Sequence, residues 1–131
     1  MNSIIIDNFI SGVQLFNQGE ILKGHDKWEK LWKVGDKKLR KWIKGWIQFS
    51  GCILNVLAGK PGGAIYLAKK TDENLKQDEI SPCFIDVESA ISDINILQRL
   101  LEDNVSSKEK IKAARQIRIK FKQEKNFKIP K

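Results

Sequence analysis

Two cysteines, one histidine, one methionine and three prolines are all that the 131 residues contain of those types. No apolar run approaches the roughly 20 residues that a membrane-spanning helix needs. Each scarcity excludes something. Cys52 falls inside an apolar stretch and Cys83 in a Ser-Pro-Cys linker, with no second pair at zinc-ligand or redox spacing. Both are therefore expected as reduced thiols that behave as small apolar side chains. The opening Ile4-Ile5-Ile6 is too short for a secretory core and has no basic leader, so the cytoplasm is the expected location. No internal repeat or low-complexity block is evident.

What the chain does have is helical periodicity. With 41% hydrophobic residues it can bury one core without disulfides or metal. The organising stretch is Leu39 to Ala58, where Leu39, Trp42, Ile43, Trp46, Ile47, Ile53, Leu54 and Leu57 recur at helical spacing and no side chain between Lys44 and Lys60 is charged. A helix with so little polar surface has to be covered by neighbours. Four further helices are predicted around it. One carries Ile5, Ile6, Phe9, Ile10, Val13 and Phe16, and a second runs from Glu20 to Lys33. A fourth follows Pro61 to about Lys76, and a fifth is capped by Asp86 and faces Val87, Ile91, Ile94, Leu97 and Leu101 inward. The expected fold is all-α: a compact five-helix bundle over residues 1–104, with a basic C-terminal tail over 105–131. Glycines 12, 24, 45 and 51 lie inside predicted helices, where each costs about 1 kcal/mol relative to Ala, and so they suggest close contacts.

The tail accounts for the formal charge of +8: residues 105–131 hold eight Lys and two Arg against Glu109 and Glu124. A short helix is suggested around Ser107 to Ala114. Beyond it Ile117, Ile119 and Phe121 alternate with Arg118, Lys120 and Lys122, the two-faced pattern of an extended arm over 117–131. Ile117, Ile119, Phe121, Phe127 and Ile129 are expected to face the body or a partner chain, with Arg118, Lys120, Lys122 and Lys128 in water. Arg115, Arg118, Lys120 and Lys122 are the candidates for contact with a nucleic acid; composition does not choose between that, an anionic lipid and an acidic protein.

One polar cluster stands out. His25, Trp28, Glu29 and Trp32 sit at i, i+3, i+4 and i+7, so an imidazole and a carboxylate share a helix face with two large rings. Gln48, Cys52 and Asn55 form a second stripe on the central helix, and a buried seam of His25 and Glu29 with Gln48 and Asn55 would satisfy polar groups that otherwise lose free energy on burial. As metal ligands His25 and Glu29 number only two; no metal and no cofactor is expected. As an acid–base pair they are chemically sound, though no nucleophile or oxyanion motif accompanies them. The turn Gly59-Lys60-Pro61-Gly62-Gly63 lacks both phosphate-binding glycine patterns.

Phe16-Asn17-Gln18-Gly19, His25-Asp26-Lys27-Trp28-Glu29 with Trp32, Gly45-Trp46-Ile47-Gln48, Gly59-Lys60 and Gly63-Ala64 together resemble the family called domain of unknown function 309. The likeness covers roughly residues 13–76. The chain departs from the family pattern at Lys23, Asp26, Asn55 and Lys60, Asn55 standing where a second His is common. The resemblance implies an all-helical fold, matches the family motif at His25, Trp28, Glu29, Trp32, Gly45 and Gln48, and brings no activity, cofactor or substrate. The leading expectation is a non-enzymatic binding or scaffold module whose partner is a protein, a second copy or, at the tail, a polyanion. A small enzyme using His25 and Glu29 is the alternative.

Overall fold

The computed structural model describes residues 3–76 and 84–122, and it is all-helical, with no strand among the described residues. Six helices follow one another: α1 (Ser3–Asn17), α2 (Ile21–Val34), α3 (Lys37–Leu57), α4 (Pro61–Lys76), α5 (Val87–Glu102) and α6 (Ser107–Gln116). The count of five is corrected to six. Ser106 caps α6 by accepting from the Glu109 N–H at 3.2 Å, and Ala114 anchors it in the core. Cys83 and most of the linker before it, like Phe127, Lys128 and Ile129, lie outside the described residues.

Local chemistry accounts for the breaks. Asp36 accepts from the Leu39 N–H at 2.8 Å and Asp86 from the Ser89 N–H at 3.0 Å, each meeting an orphan donor at a helix start. Helices α1 and α3 end alike. Gly19 (φ 87°) and Gly59 (φ 72°) enter the left-handed region, which lets the Glu20 N–H reach the Leu15 carbonyl and the Lys60 N–H reach that of Asn55.

Each helix packs on the next, and α6 returns onto α3 and α5, so α3 touches α2, α4 and α6. The core is aromatic at one end. Phe9 of α1 lies 5.7 Å from the Trp28 ring, 4.5 Å from Trp42 and 5.7 Å from Trp46. Two glycines make this packing feasible. A Cβ on Gly24 would stand 2.7 Å from the Gly12 carbonyl oxygen, and one on Gly12 would run into the Trp28 indole. Closely crossed backbones let that indole donate to the Phe9 carbonyl at 3.2 Å.

After α6 the chain is extended. Ile119 is buried and Ile117 half-buried, while Phe121 stays 42% exposed and stacks on Phe84 with ring centroids 6.4 Å apart. An isolated antiparallel bridge joins Ile85 to Phe121. Asn17 holds the same segment: its amide donates to the Ile119 carbonyl at 2.9 Å and its side-chain oxygen accepts from the Ile119 N–H at 2.8 Å. A side chain here imitates a paired strand.

Two outcomes are expected from this packing. Gly12→Ala should lower stability in urea by about 1–3 kcal/mol, because overpacking against Trp28 outweighs the roughly 1 kcal/mol gained in helix propensity. Burial pushes the Cys52 thiol up to about 12, so in a Cys83→Ser background iodoacetamide should label Cys52 only on unfolding. The sign for stability follows: above about pH 8.5 the unfolded thiol releases a proton that the folded one keeps, so its contribution erodes as pH rises toward 12. Cys52→Ala should remove that part of the pH dependence.

Candidate functional site

Helix α2 turns Ile21, Gly24, Trp28 and Leu31 into the core. His25 and Glu29, one residue further round, lie on the flank toward α3. The imidazole lies beside Gly51 of α3, where an added Cβ would make ordinary contact with His25 Cε1 at 3.8 Å and would crowd Leu67 Cδ1 of α4 at 3.1 Å. Both ring nitrogens are engaged. Nε2 is 2.7 Å from a Glu29 carboxylate oxygen and Nδ1 is 2.6 Å from Ser50 Oγ on α3. The His25 side chain is 14% exposed and that of Glu29 46%, while Ser50 is wholly buried.

Proton accounting limits the states of this Glu29–His25–Ser50 chain. A carboxylate only accepts, so Nε2 carries a proton and donates to Glu29. Ser50 Oγ also lies 3.2 Å from the Trp46 carbonyl and 3.0 Å from that of Ile47, and it has a single proton to give. Either Ser50 donates to Nδ1 of a neutral ring, or it donates to its own helix and accepts from a doubly protonated one.

The expected seam is corrected in its α3 members. At about 100° per residue on an α-helix, Gln48 lies about 200° round from Ser50, so the two cannot both face α2. Gln48 instead accepts from the Asn74 amide of α4 at 2.5 Å. Asn55 donates to the Gly51 carbonyl one turn back, at 2.8 Å, with Gly63 of α4 alongside. The Gln48–Asn55 stripe thus faces α4. Trp28 is core, but Trp32 is 38% exposed, with the Arg40 guanidinium 4.6 Å above its ring, and belongs to no shared network with His25. Ser50 was the missed member. Its signal was a hydroxyl at i+4 from Trp46 and i−3 from Ile53, inside a core stripe where a polar atom needs a partner.

No group of three His, Cys, Asp or Glu side chains suited to a metal forms among the described residues. Clefts among the described residues are lined elsewhere. The one between α5 and α6, about 350 Å³, includes Asp93, Leu97, Ile117, Arg118 and Lys120. Burial raises the Asp93 carboxyl pKa, with Lys120 opposing and Asp86 adding to the rise. Of the four tail candidates, Arg115, Arg118, Lys120 and Lys122 are all exposed, and Arg118 donates to the Arg115 and Ile117 carbonyls at 2.6 and 2.9 Å.

An all-helical unit with a His–Glu–Ser clasp between two of its helices is what fold and site define. The family model described as domain of unknown function (DUF309) matches residues 9–67, from α1 into α4. That stretch contains the whole clasp, and over it the chain is similar to that family. No curated protein and no solved structure matches it.

If the clasp is geometric, double-mutant cycles in urea should reveal it. His25→Ala is expected to cost about 1–3 kcal/mol through partners left unpaired. It should couple to Ser50→Ala by roughly 0.5 kcal/mol or more, and be additive with Gln48→Ala.

Proposed function

We propose that the protein is a non-enzymatic helical binding or scaffold module, in which His25, Glu29 and Ser50 set α2 against α3. The observation that carries this reading is that the hydroxyl partnered with His25, that of Ser50, is wholly buried between the two helices. The histidine of a catalytic triad also has both nitrogens engaged, so access to the hydroxyl is what separates this cluster from one. The serine–histidine–carboxylate order invites comparison with hydrolases, but Ser50 has no exposed surface. Its hydroxyl also lies within bonding distance of two carbonyls of its own helix, and Ser50 stands in the interior of α3, where backbone N–H groups are engaged along the helix. No described helix is long and apolar enough to cross a membrane, in keeping with the proposed cytoplasmic setting.

A second reading, polyanion contact through the tail, draws on the exposure of Arg115, Arg118, Lys120 and Lys122. It should be tested by charge reversal at Lys120 and Lys122. Truncation before Ile119 would also remove a core residue.

The module reading predicts that a fluorophosphonate probe leaves native Ser50 unlabelled, and that any trace ester hydrolysis is the same in wild type and Ser50→Ala. Labelling at Ser50, or hydrolysis that Ser50→Ala abolishes, would make the cluster an active site and the proposal wrong.

A further inference from the structure

We infer that the tip where α2 meets α3 is a docking surface for an anionic lipid bilayer. This inference rests on the module reading above and names the partner chemistry of one of its surfaces. Between Lys30 and Lys44 stand seven exposed cations, Lys30, Lys33, Lys37, Lys38, Arg40, Lys41 and Lys44, against one carboxylate, Asp36. That carboxylate is engaged in capping α3. None of the six lysines forms an ion pair among the described residues. Outside its tail the chain holds 14 Lys and Arg against 14 Asp and Glu, so the neutral total conceals this stretch of seven cations against one carboxylate. Gly35 and Asp36 join the two helices directly, so at about 1.5 Å per residue Lys33, Lys37, Lys38 and Lys41 all lie within roughly 10 Å of the turn along the helix axes.

Apolar groups share this tip. Val34 is 83% exposed at the end of α2, and Trp32 lies partly open beneath Arg40. The tip is also ordered in advance, because the Arg40 guanidinium donates to the Trp32 and Lys33 carbonyls at 2.8 and 3.0 Å and so caps α2. A phosphodiester backbone would reward the lysines but gains nothing from an aliphatic side chain at the apex. The headgroup region of a bilayer rewards both: anionic lipids attract the lysines, and valine and the tryptophan edge enter the interface.

Cosedimentation of the full chain with vesicles tests this. The protein should bind vesicles of phosphatidylcholine containing roughly one third phosphatidylserine, bind pure phosphatidylcholine at least about tenfold more weakly, and lose affinity as salt is raised. Lys37→Glu with Lys41→Glu should reduce partitioning about tenfold or more, and Val34→Asp should reduce it as well. Lys108→Glu with Lys112→Glu, the same charge change at exposed tail lysines, should leave it unchanged. Glutamate suits the first turns of α3 because of the helix dipole, and circular dichroism confirms that each variant folds. Absence of vesicle binding, equal loss from the tip and tail variants, or binding of mixed-sequence nucleic acid without vesicle binding would each overturn the inference. Those results leave Ser50 chemistry untouched, and probe labelling at Ser50 leaves vesicle binding untouched, so the two proposals fail separately.

Discussion

The rest of the structure depends on the Trp28 indole lying across Gly12. That contact requires α1 and α2 to cross with their backbones touching at Gly12 and Gly24, and it places Trp28 between Phe9 and Phe16 while leaving it in reach of Trp46. A buried tryptophan removes on the order of 200 Å² from water, worth about 5 kcal/mol at 25 cal/mol per Å² before ordering costs. A hydrogen bond such as the one from its N–H to Phe9 contributes about 1 kcal/mol. Aromatic burial therefore drives the assembly of α1, α2 and α3, and the hydrogen bond fixes how the ring sits.

The same comparison sets the place of the His25 clasp. With net contributions near 1 kcal/mol per hydrogen bond, Glu29–His25–Ser50 does not hold α2 onto α3; the aromatic core does. The clasp specifies register. A slip of α3 by one residue would carry Ser50 about 100° away and strand a polar imidazole against apolar neighbours, so the cluster penalises misdocked arrangements more than it strengthens the correct one.

Helix α6 and the segment after it join the body by another device. Ile119 is buried, yet the extended backbone beside it has no sheet to enter, and Asn17 supplies both the donor and the acceptor that a neighbouring strand would have offered. Asn17 comes directly before the turn at Gly19 that ends α1. A single residue thus lies at a helix end and holds a segment 102 positions away.

Local patterns in the sequence were sufficient for the helices, because caps, left-handed glycines and the 3.6-residue stripe act within a few residues of each other. Asp36 and Asp86 cap where expected, Pro61 opens α4, and α3 is the central helix of the fold. Residues of α2 and their flanks were equally legible, since His25 and Glu29 are one turn apart on the same helix. Which residue of α3 meets them was not legible. Gln48 and Ser50 both occur in an uncharged stretch, and only the azimuth at which α2 packs, set by the Gly12–Gly24 crossing and the shape of Trp28, selects Ser50 and turns Gln48 to α4. The exposure of Trp32 was no more legible: it continues the stripe in sequence but lies partly open beneath the Arg40 guanidinium of α3. Periodicity names the faces of a helix, and packing decides which neighbour each face meets.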